Sequence, residues 1–148
     1  MSVSVHCSAE TNTPDNILAG YMEDFKRDCE FYSADCSNFD HLLYIEWADE
    51  LSSPQALATC TKSRLGGRWI RVKTGLDLSE IKLRTVMYHE FGHCILDRDH
   101  DMNVYTIMNA YLIDMQEQDW DRLVVDLFDD RDPIHVALRG FDTGLKID

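Results

Sequence analysis

The stretch YHEFGHCILDRDHD, residues 88–101, decides how the rest of the chain is interpreted. It contains His89, Glu90 and His93 in the order H-E-x-x-H, and a third histidine, His100, follows. Residues four apart on a helix project from the same face, so His89 and His93 can offer ring nitrogens to one metal ion. Glu90 lies about 100° around that helix, beside the metal but not bound to it.

This arrangement allows metal-assisted hydrolysis. From beside the metal, the Glu90 carboxylate can take a proton from an attacking water molecule and later give it to a leaving amine. Zinc suits such a site, because it accepts imidazole ligands, has no redox chemistry and keeps one position open in catalytic sites. The motif alone is also compatible with a half-exposed helix that carries two surface histidines.

A second motif, TIMNAY at residues 106–111, narrows the interpretation. The run HEFGHCILDRDH followed closely by TIMNAY resembles the metzincin superfamily of zinc peptidases, in particular its small matrixin-like bacterial members. The pattern of that family is H-E-x-x-H-x-x-G-x-x-H, then a tight turn with a methionine beneath the metal. The resemblance implies that His89 and His93 bind one catalytic zinc ion. It also implies that Glu90 is the general base and that Met108 is the methionine of the Met-turn.

The sequence departs from the family pattern where the helix ends, although the resemblance covers residues 77–111. The position of the glycine in the pattern is occupied by Leu96, and that of the third ligand is occupied by Asp99. His100 comes one residue after the position of the third ligand. Some metzincins use aspartate there, so Asp99 is one alternative, and a turn one residue longer would bring in His100. We favour His100, because Asp97 tolerates the left-handed conformation and can end the helix one residue later. Asp99 would then orient a ligand imidazole.

Two other features of this region have competing explanations. Tyr111 follows the Met-turn and could contact the oxyanion or the substrate, but its spacing favours a packing role. Asp97, Asp99, Asp101 and Asn103 alternate as in a calcium loop. An EF-hand needs glycine at its sixth position and glutamate at its twelfth, where Met102 and Met108 stand, so we reject it.

Composition limits the class of protein. The chain has 148 residues, 45% of them hydrophobic, which suits one domain with a packed core. Its net charge of -13 argues against nucleic acid and anionic membrane surfaces as partners. No apolar run reaches the length of a membrane span, and residues 1–16 do not resemble a signal peptide. We therefore expect a monomer with a protein or peptide substrate, located in the cytoplasm, or secreted if a leader has been removed.

The cysteines do not resemble a disulfide framework, because they are an odd number at irregular spacings. The five are Cys7, Cys29, Cys36, Cys60 and Cys94. A single bridge between Cys29 and Cys36, across the end of the first predicted helix, is an open alternative. Cys94 is expected to pack in the core.

Hydrophobic periodicity predicts an α+β fold with a small mixed β-sheet. Helices are predicted over residues 14–32, from Ser79 through the H-E-x-x-H motif, and over DWDRLVVDLF, residues 119–128. Strands are predicted in HLLYIEWAD, ALATCTKS and RWIRVKT, with the last two joined at Gly66 and Gly67. This order of helix, sheet, active-site helix, Met-turn and C-terminal helix is the order that the metzincin resemblance implies.

The sequence therefore favours a zinc metalloendopeptidase built as a single catalytic domain over residues 1–148, with 1–12 and 132–148 as loose ends. The strand ALATCTKS would pair with an extended substrate. One alternative is a zinc-bound, non-hydrolytic protein-binding module, although a purely structural site has no use for the Glu90 carboxylate. Another alternative is an effector or toxin protease with a single protein target.

Overall fold

The structure is a computed structural model, which describes residues 14–101, 105–129 and 142–148. These residues form an α+β fold, as predicted. Of the predicted loose ends, residues 1–12 and 132–141 lie outside the described ranges, whereas residues 142–148 contain a strand and the buried Ile147. The helices and strands are α1 (Pro14–Phe31), β1 (Leu42–Ala48), β2 (Ala58–Lys62), β3 (Arg68–Lys73), α2 (Glu80–Cys94), β4 (Tyr111–Ile113), α3 (Trp120–Phe128) and β5 (Asp142–Lys146). Short 3-10 helices cover Ser37–His41 and Glu117–Asp119.

A mixed three-stranded sheet carries the order β1-β3-β2. The central strand β3 is parallel to β1 and antiparallel to β2, and Ile70 of β3 lies opposite both Ile45 and Cys60. The turn between β2 and β3 contains Gly66 with a φ of 94°, a left-handed conformation that glycine adopts without strain. The predicted pair of strands joined by two glycines is confirmed. Strands β4 and β5 form a separate antiparallel pair.

The core lies between the sheet and the helices. Ile70 and Val72 of β3 are fully buried, whereas the alternate residues of that strand are half-buried, as its period-two pattern predicts. Phe25 of α1 joins this core and lies 5.0 Å, between ring centroids, from both Tyr88 and Phe91 of α2. Helix α2 is therefore held between α1 and the sheet.

The third helix covers another side of α2. Its apolar stripe is buried at Leu123, Val124 and Leu127, as the spacing of these residues predicts. At its first residue, the Trp120 ring lies 4.8 Å from that of Tyr88. Of the helices in the described ranges, none is long and apolar enough to span a membrane.

Two disulfides tie these elements together. Cys29 and Cys36 close the turn after α1, and Cys60 and Cys94 join β2 to the end of α2. The Cys29–Cys36 bridge is the one that the sequence left open, and it is present. The expectation of no disulfide framework is wrong for Cys60 and Cys94, since partners distant in sequence are set by tertiary contact. Cys94 is buried, as expected, but as a half-cystine.

Candidate metal centre

Helix α2 positions the two histidines of the motif. The Nε2 atoms of His89 and His93 are 3.1 Å apart, one helical turn from each other. Each ring is fixed through its other nitrogen: Nδ1 of His89 donates to the Ile107 carbonyl at 2.7 Å, and Nδ1 of His93 donates to the Arg98 carbonyl at 2.7 Å. A carbonyl can only accept, so the proton of each neutral ring sits on Nδ1 and the Nε2 lone pair is free to bind a metal.

The end of α2 shows how the chain turns without the glycine of the metzincin pattern. Asp97 has a φ of 54°, which confirms the prediction that a left-handed residue follows Leu96. A hydrogen bond from Arg68 holds the pKa of the Asp97 carboxyl at about 2, against the opposing effect of burial and with help from Lys62. Arg68 also donates to the Cys94 carbonyl at 2.7 Å. The same side chain therefore caps the end of α2 and holds the turn that follows it.

The turn brings His100 to the pair on α2. The centroid of its ring lies 4.7 Å from that of His93 and 5.2 Å from that of His89. Arg98 anchors this loop to α3, where its Nη1 donates to the Leu127 carbonyl at 2.6 Å. Asp99, the alternative ligand, is exposed and is not part of the group that converges on the histidines.

A fourth residue, Asp148, completes the group. Its Oδ1 lies 2.8 Å from His89 Nε2 and 3.1 Å from His100 Nε2, and its Oδ2 lies 3.5 Å from His93 Nε2. The four ligand atoms all lie within 4.8 Å of one another, so the group could hold a metal ion. Sequence reasoning missed Asp148, because an acid so far from the motif has no spacing that marks it.

The electrostatics of the group are dominated by burial. Burial lowers the pKa of His89, which disfavours a protonated ring there. Burial opposes ionisation of Asp148 as well, but its contacts with His89 and His93 outweigh that effect and hold its pKa well below the ordinary value. A carboxylate that faces the ring nitrogens of three histidines is an arrangement that a cation satisfies.

Glu90 lies next to this group and is fully buried. Neither of its carboxylate oxygens has a hydrogen-bond partner among the described residues. Burial, and then the charge of Asp148, raise its pKa well above the ordinary value, although the two carboxyls do not meet hydrogen-bond geometry. A buried carboxyl without such a partner is costly for the fold and is typical of functional sites.

The predicted Met-turn packs directly against α2. Met108 is buried, and a Cβ atom built on Gly92 would lie only 2.4 Å from its Sδ atom. The glycine of the HEFGH motif thus lets Met108 approach the helix between the two histidines. The residue before Met108 is Ile107, whose carbonyl holds the His89 ring.

Tyr111, the predicted oxyanion or substrate contact, lies on β4 opposite Lys146 of β5. It is 37% exposed and does not belong to the four-residue group.

Compared with models of protein families, curated proteins and solved structures, the chain has no significant match.

Proposed function

We propose that this chain is a zinc-dependent metalloendopeptidase with His89, His93 and His100 as zinc ligands. The observation that supports this most strongly is the convergence of three imidazoles beside the buried carboxyl of Glu90. The donor set fits zinc, which binds neutral imidazole nitrogen and carboxylate oxygen. When bound, zinc would act as a Lewis acid that polarises a peptide carbonyl.

Glu90 would act as the general base. Its raised pKa makes the Glu90 carboxylate a stronger base than an ordinary carboxylate, which suits proton transfer from water. A carboxylate oxygen of Glu90 would take the proton of the attacking water molecule and give it to the nitrogen of the leaving amine. The dry surroundings of Glu90 strengthen its interaction with that developing charge.

The order of elements supports a metzincin-like catalytic domain. The outer strand β2 precedes the active-site helix, and Met108 packs against Gly92 after that helix. In this proposal, the substrate is a protein or peptide that binds in an extended conformation beside β2. A monomer is sufficient, because every proposed ligand comes from the same chain.

The two disulfides bear on where the protein works. Disulfides form and persist in oxidising compartments and are rare in cytosolic proteins. We therefore propose the secreted location, in place of the cytoplasmic one.

One observation favours a second function, a metal-stabilised binding module without hydrolytic activity. With Asp148, the histidines form a closed set of four ligands, and closed sets are typical of structural zinc sites. A catalytic site keeps one position open. The two functions differ in what they require of Glu90, since only the peptidase needs its carboxylate.

The test is cleavage of a diverse peptide library by the zinc-loaded chain, with products identified by mass spectrometry. It compares Glu90→Gln with Glu30→Gln, a matched change of an exposed residue on α1. Each is made in the unmodified chain and in an Asp148→Asn background, because Asp148 fills a ligand position. We expect equal zinc content throughout and cleavage that only Glu90→Gln abolishes. If no zinc-loaded form cleaves, or if Glu90→Gln cleaves equally well, the peptidase proposal is wrong.

A further inference from the structure

Residues 142–148 form a short extended segment beside the metal centre. Its strand β5 is antiparallel to β4, with Lys146 opposite Tyr111. The next residue, Ile147, donates its backbone N–H to the Ala110 carbonyl at 2.8 Å. On this side, the segment lies against the chain that follows the Met-turn.

The other side of the segment meets the start of β2. The Ile147 carbonyl accepts hydrogen bonds from the N–H of Leu57 at 2.8 Å and from the N–H of Ala58 at 3.2 Å. Ala58 is the first residue of β2, which is an outer strand of the sheet in the described part of the chain. An extended peptide that binds a sheet edge is held by backbone hydrogen bonds of this kind. The segment thus lies at the start of the strand edge along which our proposal places the substrate.

The side chains of the segment fall into two kinds. Gly144, Leu145 and Lys146 are exposed, whereas Ile147 is completely buried and belongs to the hydrophobic core. The following residue, Asp148, reaches the histidines. One buried aliphatic side chain therefore lies directly beside the carboxylate that faces the histidines.

Asp148 takes the position that a catalytic zinc site keeps open for water and substrate. Its Oδ1 approaches His89 Nε2 to 2.8 Å and His100 Nε2 to 3.1 Å. The three histidines lie on α2 and the loop after it, and the rings of His89 and His93 are held by the Ile107 and Arg98 carbonyls, without any contribution from Asp148. Asp148 could therefore leave without displacing His89 or His93.

We infer that residues 142–148 are an internal inhibitor of the peptidase, bound in its substrate cleft with Asp148 as a displaceable fourth ligand. This inference rests on the proposed function. The same contacts indicate the substrate class, an extended peptide with a large aliphatic side chain in the site of Ile147. Activity then requires displacement or removal of the segment.

The experiment uses the full chain loaded with cobalt in place of zinc, since the visible spectrum of cobalt reports its ligands. Acetohydroxamate, a small chelating probe, is titrated into the unmodified chain, Asp148→Asn and Asp114→Asn. Asp114 is an exposed acid just after β4, so its replacement changes the net charge equally. Ile147→Ala provides a second variant that weakens the anchor and leaves the ligand in place.

We expect all four proteins to hold one cobalt ion. Asp148→Asn should bind acetohydroxamate about tenfold more tightly or better, because the open state of the unmodified chain is a minor fraction. Ile147→Ala should also bind it more tightly, and Asp114→Asn should match the unmodified chain. Peptide cleavage by the zinc forms should be faster for Asp148→Asn and Ile147→Ala than for the unmodified chain and Asp114→Asn.

Three outcomes separate this inference from the function on which it rests. Equal acetohydroxamate affinity in Asp148→Asn and the unmodified chain would overturn the inference. So would loss of cobalt from Asp148→Asn, because Asp148 would then be a permanent ligand. If Asp148→Asn binds acetohydroxamate more tightly but its zinc form cleaves no peptide, the displaceable ligand stands and the peptidase proposal fails.

Discussion

Gly92, inside the HEFGH motif, tests the packing of Met108 against helix α2. A Cβ atom added there would lie 2.4 Å from Met108 Sδ and 3.2 Å from Leu127 Cδ1. Atoms do not approach so closely, so Gly92→Ala must push Met108 out of a position where it is only 1% exposed. Overpacking of this kind costs about 1–3 kcal/mol of the free energy of unfolding.

Helix propensity acts in the opposite direction and must be separated from the clash. Alanine is more stable than glycine in a helix interior by about 1 kcal/mol. Gly20 of α1 gives the matched control, because a Cβ atom there would meet nothing within 4 Å. Gly20→Ala should raise the free energy of unfolding by up to about 1 kcal/mol relative to the unmodified chain. The free energy of unfolding of Gly92→Ala should be about 1–3 kcal/mol lower than that of Gly20→Ala. Urea denaturation measures both changes, provided that the dependence of the unfolding free energy on urea concentration is the same in the variants and the unmodified chain.

The same substitution should weaken metal binding. Met108 follows Ile107, whose carbonyl accepts the hydrogen bond from His89 Nδ1 at 2.7 Å. Loss of such an orienting contact lowers metal affinity by about 10–100-fold, so zinc affinity should fall in Gly92→Ala and not in Gly20→Ala. If Gly92→Ala stabilises the chain as much as Gly20→Ala does and leaves zinc affinity unchanged, the packing described here is wrong.

The third histidine, the buried glutamate and the second disulfide can each be tested separately. His100→Ala should lower zinc affinity by more than about 10–100-fold in chelator competition, whereas Asp99→Ala should change it only slightly. The pKa of Glu90 in the folded, metal-free chain lies above the ordinary 4.5, so ionisation destabilises the fold as pH rises. Urea denaturation should therefore show Glu90→Gln equal to the unmodified chain near about pH 4 and more stable towards about pH 8. Replacement of Cys60 and Cys94 by serine should lower the free energy of unfolding by up to about 4 kcal/mol, because the bridge spans 34 residues of sequence.

Each of these results has a clear opposite. Equal losses of zinc affinity from His100→Ala and Asp99→Ala would mean that the loop after α2 is placed wrongly. A stability advantage of Glu90→Gln that shrinks as pH rises would mean that the folded state does not raise the pKa of Glu90. A serine variant as stable as the unmodified chain would mean that Cys60 and Cys94 are not bridged.

Local patterns in the sequence were sufficient to predict much of the fold. The helices follow from apolar residues at helical spacing, and the β2–β3 pair follows from alternation around Gly66 and Gly67. The end of α2 was also predictable, since Leu96 cannot replace a left-handed glycine as readily as Asp97 can. These features depend on residues close together in the chain, so their signals are visible without tertiary structure.

The features that sequence reasoning missed depend on contacts between distant residues. Asp148 lies 59 residues from His89, and no periodicity connects them. The pairing of β5 with β4 brings that carboxylate to the site, but a three-residue strand such as β4 carries almost no pattern. The partner of Cys94 likewise depends on how β2 packs against α2, which the cysteine spacing does not reveal.

The central claim is that three histidines build one metal centre, and zinc K-edge X-ray absorption of the full chain tests it most directly. After loading and dialysis, the chain should hold one zinc ion. Three imidazole nitrogens and one oxygen should lie about 2.0–2.2 Å from that ion. His100→Ala should remove one imidazole from that shell, and Asp99→Ala should leave it intact. A chain that retains no zinc, or a shell that His100→Ala does not change, would contradict the account.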